Sequence, residues 1–98
     1  MNMQQIMAQA QKMQKDIISK KNQIDNMDFI GKSDWVEIEF KGNRNVKNVN
    51  IINDAAFSKE NSDILCDMIL LAIKDGLNQI DKETETKMGA YSQMGGLF

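Results

Sequence analysis

Trp35-Val36-Glu37-Ile38-Glu39-Phe40-Lys41 decides the fold of this chain. Val36, Ile38 and Phe40 point one way, while Trp35, Glu37, Glu39 and Lys41 point the other. That period of two belongs to a strand with one buried face and one wet face. Downstream, Gly42-Asn43-Arg44-Asn45 predicts a turn, its Gly and Asn being tolerant of positive φ. Val46 to Ile52 predicts the returning strand, with Val49 and Ile51 pointing inward. Upstream, Met27 to Gly31 reads as a shorter strand. Three short strands make a thin sheet, which needs a helix on one face or a neighbour at its edge.

On both sides of the sheet the period becomes helical. From Asn2 to Asn26, Met3, Ala10, Ile17 and Ile24 fall at one heptad position and Ile6, Met13 and Met27 at the other; only Lys20 breaks the second series. A repeat of 3.5 over almost four heptads predicts a long helix, roughly 37 Å, packed along another helix. No partner within so short a chain covers all of it, which points to a second subunit. The second helix is expected to begin after Ser58 as N-cap, with Glu60 in its first turn. Ile64, Leu65, Met68, Ile69, Ala72, Ile73, Leu77 and Ile80 give it a wide apolar face. Beyond Ile80 the sequence turns polar and is expected to project into solvent. Residues 89–98 read as a flexible tail. The fold class is α+β, a single domain over residues 1–98.

Composition narrows the function. The chain has 98 residues, one Cys, no His and no Pro. One Cys excludes an intramolecular disulfide and multi-Cys zinc or iron–sulfur sites, and the lack of His removes imidazole triads and the usual general base. The apolar run Met68 to Ile73 is too short to span a bilayer, and the N-terminus lacks the apolar core of a secretory signal. Cys66, inside the apolar helix, is expected to be buried and inert. Glu37 and Glu39 read as solubilising charge, and Asp54 as an Asx-type turn. No enzyme activity, metal, cofactor, membrane or small-molecule substrate is expected.

Charge is unevenly spread. Residues 1–24 carry Lys12, Lys15, Lys20 and Lys21 against Asp16 alone; the rest carry eight basic and 13 acidic side chains, for a net charge of −2. A basic arm on an acidic body is a pattern for anion binding. Gln9, Gln11 and Gln14 between these lysines can hydrogen-bond phosphates or base edges, and are equally good solvent-facing helix formers. Trp35, on the wet strand face, reads as a subunit-interface aromatic.

Gln9-Ala10-Gln11-Lys12-Met13-Gln14-Lys15 resembles the first-helix signature of the YbaB/EbfC family of bacterial nucleoid-associated proteins. Val36-Glu37-Ile38-Glu39-Phe40 with Gly42, Val46 to Ile51, Ala72-Ile73-Lys74-Asp75-Gly76 and Met94-Gly95-Gly96-Leu97-Phe98 follow in the family's order. The resemblance covers nearly the whole chain. It implies a long N-terminal helix, a three-stranded antiparallel sheet and a long C-terminal helix, assembled as a tweezer-like homodimer. It also implies binding to double-stranded DNA with little sequence preference, in the cytoplasmic nucleoid, for nucleoid organisation or gene regulation. Lys12 and Lys15 match the family's basic helix positions directly. Lys20, Lys21, Lys74, Lys82 and Lys87 extend the expected DNA contacts by their place on the arms. Trp35, Ile17, Met13 and Ile24 are the expected dimer contacts. The competing reading is a small acidic dimeric chaperone or adaptor that binds protein without DNA, supported by the sequence pI near 5.0 and the Met-rich faces.

Overall fold

The computed structural model describes residues 2–89. Helix α1 (Met3–Asp25) leads into strands β1 (Asp28–Lys32), β2 (Val36–Lys41) and β3 (Val46–Ile51). Two short 3-10 turns, Asp54–Phe57 and Lys59–Asn61, then precede helix α2 (Ser62–Met88). The sheet is antiparallel in the order β1-β2-β3, so the expected α+β architecture stands. The proposed tail lies, apart from Gly89, outside the described residues; Gly89 keeps helical backbone angles.

The core is the alternation of β2 closed by one helix. Val36, Ile38 and Phe40 are buried and, with Phe29 from β1, meet Ala72 and Ile80 of α2. The approach is close because glycine stands at the crossing. A Cβ on Gly31 would lie 2.0 Å from the Ala72 carbonyl oxygen, and one on Gly76 would lie 2.3 Å from the Phe40 ring. Polar contacts fix the register of helix on sheet: Asp75 Oδ2 accepts the Lys32 N–H at 2.8 Å, and the Gln79 amide donates to the Ile30 carbonyl at 2.8 Å. The hairpin turn is pressed equally closely on the end of α1, where Gly42 N–H donates to the Met27 carbonyl at 2.9 Å.

Several local expectations are corrected. Ser58 does not start the second helix. The Asn53 side chain accepts from the Ala55 N–H at 2.9 Å, an Asx turn made by Asn53 rather than Asp54, and two 3-10 turns use up the residues to Asn61. In the hairpin turn the positive φ falls on Arg44, at 74°, rather than on Gly42 or an Asn. Arg44 N–H donates to the Lys41 carbonyl, closing the turn, and its guanidinium pairs with Asp81 of α2. Trp35 lies just before β2 rather than on its wet face, half-buried against the core. The polar end of α2 does not project wholly free, since Met88 is buried and Thr84 half-buried.

Val49 faces the core side of the sheet but is not buried. Val36, Ile38 and Phe40 pair with Ile51, Val49 and Val46, so these β3 side chains share the core face of the sheet. Helix α2, however, lies over β1 and β2 rather than β3. Val46 and Val49 are therefore 56% and 51% exposed. Cys66 is exposed for the same reason. Asp75 and Gln79 turn one flank of α2 toward the β1 edge. The opposite flank, with Cys66, Leu70, Ile73 and Leu77 inside a sector of about 60°, overlooks β3. An open apolar trough results, with β3 as floor and α2 as wall.

Candidate nucleic-acid interface

Helix α1 is a projecting arm. Its start is capped by Asn2, whose Oδ1 accepts the Gln5 N–H at 2.8 Å. Every residue from Met3 to Lys12 is exposed. Ile24 alone is buried along the helix, beside Ile80, Thr84 and Met88 of α2, where the two helices and the hairpin turn meet. The described residues are drawn out to 70 × 20 × 15 Å. Of the four expected dimer contacts, Ile24 is thus buried within its own chain at 3% exposure, Trp35 packs on its own core, and Met13 and Ile17 are half-buried.

The ion pairs divide the expected DNA-contacting lysines into two groups. Lys20, Lys21 and Lys87 each face a carboxylate one turn away on their own helix: Asp16 at 3.4 Å, Asp25 at 3.7 Å and Glu83 at 3.6 Å. Lys12, Lys15, Lys74 and Lys82 are exposed and make no ion pair among the described residues. The sheet's cations are also engaged. Lys41 and Lys47 reach Asp28 at 2.9 and 3.3 Å, and Lys32 reaches Glu37 at 4.0 Å. The hydrogen bond from Lys41, then that from Lys47, holds the Asp28 carboxyl below its ordinary range.

The two helices present different fields around their free lysines. On α1, Gln4, Gln11, Lys15 and Asn22 fall within about 40° of one line, with Ala8, Ser19 and Lys12 alongside inside about 100°. That sector faces away from Ile24 and contains no carboxylate; Asp16, one turn beyond Lys12, borders it and pairs with Lys20. On α2, Lys74 shares the solvent face with Asp63, Asp67, Asp81 and Glu85. Carboxylates so placed oppose the approach of a phosphate, so the surface best suited to a polyanion is the outer face of α1. The sequence alone did not separate Lys12 and Lys15 from the other lysines, because i,i+4 partners neutralise charge only once a helix exists. Arg44 and the β3 trough were not among the expected site residues; the one sequence signal for the trough was the apolar Val46 and Val49.

Residues 1–96 match the YbaB/EbfC DNA-binding family. The chain belongs to that family. A nucleoid-associated protein of Lactococcus lactis subsp. cremoris (strain MG1363) is 43% identical over 95 residues, covering 95% of each chain. A nucleoid-associated protein of Streptococcus pneumoniae (strain Hungary19A-6) is 38% identical over 94 residues, covering 94% of each. One from Enterococcus faecalis (strain ATCC 700802 / V583) is 36% identical over 94 residues, covering 94% of this chain and 89% of the relative. The YbaB/EbfC assignment supports DNA as a partner of the chain. Among the described residues of this YbaB/EbfC chain, no helix is long and apolar enough to cross a membrane.

Proposed function

We propose that the protein is a low-specificity, nucleoid-associated DNA-binding protein that acts as a homodimer in nucleoid organisation or gene regulation. The observation that carries this reading is the outer face of α1, where Lys12 and Lys15 stand exposed and, among the described residues, without ion pairs, the bordering Asp16 being paired with Lys20. Each lysine that meets a phosphate releases a condensed counterion, and this release drives binding irrespective of sequence. Lys20, Lys21 and Lys87 contribute less, because each must first leave its own carboxylate. Lys74 and Lys82 are held back by the acidic face of α2.

Two features support the homodimer. The trough over β3 leaves Val46, Val49 and Leu70 more than half exposed, an arrangement that a second copy would cover. The heptad stripe of α1 is likewise uncovered from Met3 to Ala10. In sedimentation equilibrium the expected mass is twice 11.1 kDa, and Val49→Lys shifts the species toward monomer. A wild-type protein that stays at 11.1 kDa at all concentrations refutes the homodimer.

The DNA reading is tested by fluorescence anisotropy with random-sequence duplex at about 50 and about 200 mM salt. Binding is expected to be strong at the lower salt and to collapse at the higher. Lys12→Gln with Lys15→Gln should weaken binding to all sequences alike and flatten the log–log salt slope by about 1.8 per engaged protomer. An unchanged slope in the double variant refutes the assignment of these lysines. Absence of binding at the lower salt moves the reading to a protein-binding module.

A further inference from the structure

The outer sector of α1 carries more than charge. Gln4, Gln11 and Asn22 lie on almost the same line as Lys15, with the small Ala8 beside them, and all are exposed. Among the described residues, the side chains of Gln4 and Gln11 make no hydrogen bond, so neither amide is used by the fold. A surface selected for phosphate alone needs only cations. An amide adds a paired donor and acceptor, the pattern that matches the N6 and N7 positions of adenine in the major groove. The spacing is suitable: Gln4 to Gln11 rises about 10 Å, roughly three base-pair steps, and Gln11 to Lys15 rises about 6 Å. Clearance is suitable too: Gln4, Ala8, Gln11, Lys12 and Lys15 are all exposed on a sector that points away from the heptad stripe a second copy would cover, and a major groove about 12 Å wide admits the face of one helix.

We infer that α1 enters the DNA major groove with Gln11, seconded by Gln4, reading adenine edges while Lys12 and Lys15 hold the flanking phosphates. This rests on the DNA-binding reading above and adds a base preference to it. Ala8, one turn before Lys12, is the residue placed to meet a thymine methyl. Gln9 and Gln14 take no part in base reading, since the helical turn sends them away from this line.

The test compares two short A·T-rich duplexes at one salt concentration, one ordinary and one with every adenine replaced by 7-deazaadenine. The replacement keeps charge, pairing and the minor groove, and removes only the N7 acceptor. Full-length protein is expected to bind the substituted duplex at least about fivefold more weakly. Gln11→Ala should bring the two affinities within about twofold while leaving the salt slope unchanged, because no phosphate contact is lost. Equal binding of both duplexes by the wild type overturns the inference and leaves phosphate-led binding intact. Discrimination that survives in Gln4→Ala/Gln11→Ala overturns the assignment to these residues. Failure to bind even the ordinary duplex overturns the DNA reading itself. Circular dichroism of the variants separates a lost contact from a lost helix.

Discussion

Replacing Gly31 by alanine probes the tight crossing of helix α2 over strand β1. The added Cβ would stand 2.0 Å from the Ala72 carbonyl oxygen, 2.7 Å from the Gly76 nitrogen and 2.9 Å from the Gly76 Cα. All three are backbone atoms, so no side-chain rotation relieves the overlap. Strand β1 and helix α2 must separate by roughly 1 Å, and a gap of that size forfeits about a quarter to a half of each dispersion contact across the crossing. Overpacking of this kind typically costs about 1–3 kcal/mol, and the immobile surroundings place Gly31→Ala near 3 kcal/mol. A chain of this length has about 5–15 kcal/mol to lose, so the variant should still fold. The thermal midpoint should drop by about 12–24 °C. The assay is thermal unfolding followed by circular dichroism, at one protein concentration throughout because any self-association would shift the midpoint. Gly89→Ala is the control: nothing lies within 4 Å of its Cβ and its φ is −56°, so it should be neutral or slightly stabilising. A Gly31→Ala midpoint within a few degrees of wild type would refute the close-packing argument.

The remaining predictions concern the turn and the sheet's charges. Arg44 combines a left-handed backbone, which Gly adopts more easily, with an exposed ion pair to Asp81. Arg44→Gly and Arg44→Ala both lose the pair, but only Gly relieves the backbone, so Arg44→Gly should be the more stable of the two by about 1 kcal/mol in urea unfolding; the reverse order refutes the strained-turn reading. Asp28 has its folded pKa lowered by Lys41 and Lys47. Its contribution is therefore present above the ordinary value of 3.8 and is lost as pH falls from there through the lowered folded value. Asp28→Asn should remove that part of the acid dependence, and an unaltered stability-against-pH profile would contradict it. Asp75→Ala removes the acceptor for the Lys32 N–H and should cost about 1–2 kcal/mol, measured by the same unfolding assay.

The elements that sequence periodicity reveals best are those whose two faces differ most. β2 was legible because Val36, Ile38 and Phe40 alternate with charge, and the structure buries them on one side. The same logic failed at β3 because alternation tells which side of the sheet a residue takes and not whether anything lies above it. Val49 faces the core side but extends beyond the reach of α2. Cys66 was misjudged for the same reason: an apolar neighbourhood in sequence became the wall of an open trough. The start of α2 was displaced because Asn53, Ser58 and Asn61 are all plausible local stops, and the choice among them depends on a hydrogen bond from the Asn61 amide to the Ala55 carbonyl. At the candidate site, Lys12 and Lys15 were legible from composition, whereas their distinction from Lys20 and Lys21 depends on which lysine each carboxylate takes: Asp16 stands one turn from both Lys12 and Lys20 and pairs with Lys20, and Asp25 pairs with Lys21.

The capped but uncovered first half of α1 gives the molecule two tiers of protection. Residues near Ile24 are held by the hairpin and α2, so their amides open only when the whole fold opens. Residues before about Met13 form a helical segment shorter than the roughly 12–15 residues that sustain an isolated helix in water. Their amides should exchange with solvent deuterium by local fraying, at rates insensitive to mutations such as Gly31→Ala that lower global stability. A ligand gripping this arm must bear the cost of holding it helical. The arm is therefore the place where bound and free protein should differ most in deuterium uptake, even if the sheet does not move.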